Sequence, residues 1–154
     1  ELLKATASIQ FTHVPYKGTA PALTDLLAGQ VEVMFDNLGV SLQHIRSGKL
    51  RALAVGSERR IASLPDVPAM AETYPGFVSV AWFGVVAPPK TPAEIAAKAG
   101  TAIIEAIKLP DVQRRLAEMA AESMAYGPSE SASFMKAEIE RWRRVIRAAD
   151  VRLD

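Results

Sequence analysis

Val14-Pro15-Tyr16-Lys17-Gly18-Thr19-Ala20-Pro21-Ala22-Leu23 decides the fold. Just upstream, Ser8-Ile9-Gln10-Phe11-Thr12-His13-Val14 alternates apolar and polar residues, as a half-buried strand does. Just downstream, Thr19 to Ala28 reads as a helix. Leu23, Leu26 and Leu27 share one face, and Gly29 stands where a left-handed C-terminal cap is wanted. A strand, a polar turn containing glycine and an immediate helix start aim free backbone N–H groups and a positive dipole end at the turn. That makes an anion site without any charged side chain. Gly18 lets a ligand approach the backbone. Thr19 is able to cap the helix or turn its hydroxyl to a ligand, and Pro21 presets an early helical position. An ordinary tight βα turn that binds nothing has the same pattern, and spacing alone does not separate the two readings.

Working outward, Val31-Glu32-Val33-Met34-Phe35 is strand-like, and Leu38 to Ser47 reads as a helix closed by Gly48. Leu50-Arg51-Ala52-Leu53-Ala54-Val55 makes a third strand. The order βαβαβ with short connections implies parallel pairing and right-handed crossovers. Ligands of open α/β sheets bind outside the carboxyl ends of the strands. Asp36-Asn37 follows the second strand, so it falls on the same edge as the 15–20 turn. Either residue is equally able to cap the following helix.

The punctuation then changes. Leu64-Pro65-Asp66-Val67-Pro68 is rigid and extended, a short helix follows to about Tyr74, and Pro75-Gly76 turns the chain. Phe77 to Val86, with Trp82-Phe83-Gly84 inside it, reads as a long strand. Thr91-Pro92-Ala93-Glu94 then opens a helix to about Ile107, Pro110 one to about Ala121, and Gly127-Pro128-Ser129-Glu130 one to about Ala149. In the last helix Phe134, Ile139, Trp142 and Ile146 recur at helical spacing and read as core contacts. Three domain segments result: 1–76, an α/β lobe with the ligand-side turns; 77–88, a crossover strand and hinge; and 89–154, a helical segment that packs on the other lobe.

The bulk properties exclude several functions. The 154 residues are 49% hydrophobic and 23% charged, normal for a folded chain and too apolar for disorder. Eighteen basic and 17 acidic residues leave a net charge of +1, with no basic stripe for nucleic acid. Arg141-Trp142-Arg143-Arg144 is a basic run best read as a solvated helix face. Zero cysteines remove disulfides, thiolate metal sites and thiol catalysis. His13 and His44 have no metal-type neighbour at ligand spacing. Ser41 sits in no G-x-S-x-G elbow, and Asp36 has no acidic partner placed by sequence. The reading is therefore a binding module and not an enzyme, with no cofactor and no metal. Glu1-Leu2-Leu3-Lys4-Ala5 reads as the last turns of a helix and not as a signal peptide, so the chain starts inside a structural element.

His13-Val14-Pro15-Tyr16-Lys17-Gly18, Ala22-Leu23, Asp25 to Val31 and Met34-Phe35-Asp36-Asn37 resemble the solute receptors of tripartite tricarboxylate transporters, the Bug family. Gly48 to Val55, Leu64 to Pro68, Trp82-Phe83-Gly84, Thr91-Pro92 and Ala148-Ala149-Asp150 continue the series in order. The resemblance implies an α/β fold of the type II periplasmic binding-protein kind. This chain would supply the second lobe, a βαβαβ parallel sheet, plus a crossover strand and the C-terminal helices of the first lobe. The signal peptide and the N-terminal half of the first lobe precede the part that is resembled.

The resemblance also implies a periplasmic receptor that captures a small organic carboxylate in an interlobe cleft and docks on membrane transporter subunits. Carried over, Tyr16, Lys17, Gly18, Thr19 and Ala20 form a ligand-contacting loop and helix start, and Asp36 and Asn37 the next strand-end loop. Asp36 would orient water or read an amine or hydroxyl, since a carboxylate repels an anion. Gly18→Val is expected to block ligand entry with little loss of folding. Orphaned apolar helix faces point to an intertwined or swapped homodimer. A ligand-sensing effector domain of a regulator, built on the same scaffold, is the alternative function.

Overall fold

The computed structural model describes residues 1–149; Asp150, the last residue of the family-like series, lies outside the described residues. Among the described residues seven helices follow in order: α1 (Leu2–Ala7), α2 (Thr19–Leu27), α3 (Leu38–Arg46), α4 (Met70–Thr73), α5 (Ala93–Ile107), α6 (Pro110–Glu118) and α7 (Pro128–Ala148). Their starts and stops are local in origin. Pro110 and Pro128 occupy first-turn positions, where a missing N–H is harmless. The Glu130 carboxylate accepts from the Gly127 amide at 2.8 Å, and that of Glu72 from the Ala69 amide at 2.8 Å. At the end of α2, Gln30 N–H reaches Asp25 C=O at 2.8 Å and Gly29 N–H reaches Leu26 C=O at 3.1 Å. At the end of α3, Lys49 N–H reaches His44 C=O at 2.9 Å and Gly48 N–H reaches Ile45 C=O at 3.0 Å. Both are Schellman closures, turned by a glycine in the left-handed region.

The expected strands fold differently. Residues 8–14, 31–35, 50–55 and 77–86 are extended or bent, but among the described residues they form no β-ladder. A parallel bridge joins Val55 to Ala69, with Val55 N–H on Pro68 C=O and Met70 N–H on Val55 C=O, both at 2.9 Å. The physical reason lies in burial. Register is pinned where one face of a strand is covered, whereas here Val33, Phe35 and Leu53 are each more than half exposed. The βαβαβ order thus survives as helices separated by extended segments, without a hydrogen-bonded sheet.

The chain divides into two units, Leu3–Ala81 and a second containing Glu1–Leu2 and Trp82 onward. The first holds the buried residues: Ala22 and Leu23 of α2, Ser41 and Leu42 of α3, Ala69 before α4, and Phe77. A bidentate pair, Arg60 Nε and Nη2 on the two Glu72 oxygens at 2.8 Å each, ties α4 to the loop before it. The second unit is organised around rings. Trp82 and Tyr126 each meet Phe134 edge-on, at 5.4 and 5.9 Å between centroids.

Phe134 is half-buried there, but Ile139 and Ile146, read as core, are about half exposed. With Trp82 and Trp142 they line an open groove. The basic run of α7 is partly neutralised within its helix: Arg141 pairs with Glu138 at 3.2 Å and Arg143 with Glu140 at 2.5 Å.

Candidate functional site

The turn at 15–20 is built by its own sequence. Tyr16 is half-buried and folds its ring back over α2, where its hydroxyl donates to the Asp25 carboxylate at 2.7 Å. That bond raises the Tyr16 phenol above the ordinary tyrosine value, with desolvation and then the Asp25 charge adding in the same direction. Lys17 is exposed. Gly18 is the residue before α2, at φ 116° and ψ 175°, and nothing lies within 4 Å of where its side chain would be. This backbone region belongs essentially to glycine. A valine at position 18 therefore meets backbone strain, which corrects the expectation that Gly18→Val leaves folding nearly intact.

No side chain caps α2. Thr19 is its first helical residue and does not cap it. The amides of Thr19 and Ala20 belong to the first turn, which has no intrahelical acceptor, and Pro21 contributes none. The Ala20 carbonyl is occupied by the Thr24 hydroxyl at 3.1 Å. The result is a helix start that offers two backbone donors and half a positive charge, next to open space at the Cβ position of Gly18.

Asp36 and Asn37 precede α3. Asn37 stands at its N-cap with extended backbone, but its side chain makes no capping bond, and its carbonyl accepts from Val40 N–H at 3.0 Å. Asp36 is half-buried and accepts the Ser41 hydroxyl. The two loops lie in the same unit at the starts of successive helices, and among the described residues no hydrogen bond or ion pair joins them. Asp25 and Ser41 carry bonds that sequence reading did not assign. Tyr16 and Asp25 are nine positions apart and Asp36 and Ser41 five, and neither separation matches a capping or helical-pair rule. His13 is exposed and His44 half-buried, and among the described residues no group of metal-type side chains converges.

The model of the tripartite tricarboxylate transporter family receptor matches residues 1–151. The chain belongs to that family. BugT of Bordetella pertussis is 38% identical over 154 residues, which cover 99% of this chain and 47% of BugT. A UPF0065 protein of Pseudomonas sp. (strain P51) is 39% identical over 147 residues, 94% of this chain and 44% of that protein.

Among solved structures, the periplasmic binding protein BugD matches with a TM-score of 0.84 at 34% identity. The match covers 97% of this chain and 51% of BugD. MatC of Rhodopseudomonas palustris, solved with bound malate, matches with a TM-score of 0.81 at 36% identity, over 94% of this chain and 51% of MatC. These neighbours carry the α/β binding-protein fold. The chain spans about half the length of these relatives.

Proposed function

We propose that this chain is part of an extracytoplasmic solute receptor that captures a small organic carboxylate for a tripartite tricarboxylate-type transporter. The observation that carries the reading is the start of α2. It has no side-chain cap, a glycine-only approach and two backbone donors, in a chain whose family is that of the transporter receptors. The malate held by MatC supports the ligand class. In this reading Tyr16 to Ala20 receive the carboxylate, with Tyr16 held on Asp25 to fix the turn, and Asp36 and Asn37 complete the ligand-side edge. Residues 1–76 serve as the second lobe, 77–88 as the crossover between lobes, and 89–154 as the return to the first. The function is binding and delivery, not catalysis, and membrane transporter subunits are the downstream partners.

A ligand that binds only the folded state raises stability with the logarithm of its excess. A thermal-shift screen of carboxylates, amino acids and aromatic acids, run on the receptor expressed from its complete reading frame, tests the reading. At least one carboxylate is expected to raise the Tm, dose-dependently. A broad panel without a hit overturns it.

A further inference from the structure

Ser41 is 7% exposed and is the buried polar residue of the described chain. A helical serine usually turns its hydroxyl to water or to a carbonyl of the preceding turn. Ser41 instead reaches out of α3 to the Asp36 Oδ2 in the preceding loop. A carboxylate offers about four acceptor sites on its two oxygens, and the Ser41 hydroxyl takes one. Among the described residues no other donor and no cation meets Asp36. The group is thus an acceptor held in place by a buried hydroxyl, with capacity left over, on a loop beside the start of α3. An acceptor-only group of negative charge repels a plain anion. It is compatible with an anionic ligand only where that ligand brings a donor of its own.

We propose that Asp36, positioned by Ser41, selects carboxylates that also carry a hydroxyl or ammonium group over carboxylates that carry none. The inference rests on the receptor reading above, and it assigns the two recognition tasks to the start of α2 and to the loop before α3. The amides of α2 take the ligand carboxylate, and Asp36 takes the ligand donor. A neutral donor placed on a charged acceptor, lost when the ligand lacks it, changes affinity by about tenfold or more. Ser41 is a positioning residue, since it acts through Asp36.

The test is isothermal titration of the receptor, expressed from its complete reading frame, with L-malate and with succinate, which differ by one hydroxyl. L-malate is expected to bind about tenfold or more tighter. Asp36→Ala should bring the ratio of the two affinities close to one. Ser41→Ala should lower the ratio part of the way, and Ser41→Thr, which keeps the hydroxyl, should restore it. Equal affinities in the unaltered receptor overturn the inference while the carboxylate reading stands. So does an Asp36→Ala variant that weakens both acids together and leaves their ratio unchanged, since that is the mark of a purely structural residue. Failure of both acids, and of every other carboxylate, overturns the receptor reading and this inference with it.

Discussion

At residue 18 a backbone conformation and a binding role coincide. Gly18 has φ 116° with open space around its missing side chain, so the obstacle to substitution is the backbone and not a neighbour. Holding a non-glycine residue in such a region costs about 1–3 kcal/mol. Gly18→Ala should lower the unfolding free energy by about that amount, read as a shifted urea midpoint at unchanged slope. Ala120 presents the opposite case. It closes α6 at φ 53°, with its own N–H on Ala117 C=O at 3.0 Å and Ala121 N–H on Leu116 C=O at 2.9 Å. This is the Schellman position where glycine is preferred. Ala120→Gly should raise stability by about 0.5–1 kcal/mol, because relief of left-handed strain exceeds the added freedom of the unfolded chain. A lower urea midpoint would contradict this. The sequence made Gly18 legible because a glycine between a polar turn and a helix start has few uses. The strain at Ala120 was hidden, since nothing about an alanine signals a positive φ.

The helices were legible because their signals are local: proline in the first turn, glutamate reaching back, glycine just past the end. Observed ends fall within a few residues of those read from sequence, as with α2 stopping at Leu27 and α3 at Arg46. The extended segments were legible as extended, but not in what they pair with, because a ladder depends on neighbours remote in the chain. The Val55–Ala69 bridge joins a foreseen segment to an unforeseen residue. Similarly, the α2 and α3 starts were legible as site candidates, whereas the bonds from Tyr16 to Asp25 and from Ser41 to Asp36 needed the fold. At α4 the electrostatics are specific. The Arg60 guanidinium, and then the Ala69 amide, hold the Glu72 carboxyl down to about 2, below its usual 4.5. A depressed carboxyl stabilises the folded state fully above its unfolded value, and that contribution disappears as pH falls from about 4.5 towards 2. The two side chains are 47% and 43% exposed, so the contribution is small and weakens with salt. Glu72→Gln should therefore flatten the fall of stability between pH 4.5 and 2, seen as urea midpoints at low salt. An unchanged acid limb would show that other carboxylates control it.

For the whole molecule, the decisive property is apolar surface left in water. Phe83 is 92% exposed, Val85 78% and Val86 74%, on extended backbone that pairs with no strand among the described residues. Val33, Phe35 and Leu53 repeat the pattern in the other unit, at 62%, 58% and 64%. Folded monomers rarely leave such contiguous patches open, and unpaired extended backbone is a template for another strand. Both needs are met by the same event, association with a second strand-bearing surface. The 154-residue chain alone is expected to self-associate through 83–86, with a second copy as the available partner. Multi-angle light scattering at about 0.1 mM should give a mass above the 16.6 kDa of one copy, together with strong binding of an apolar dye. Phe83→Ser with Val85→Thr should lower both signals and leave the thermal transition nearly in place, since neither side chain is buried. A monomer that binds no dye would mean that these side chains are covered within the chain itself. Residues 83–86 would then have found their partner inside one copy, as Ser79 does through its N–H on Gly56 C=O at 2.7 Å.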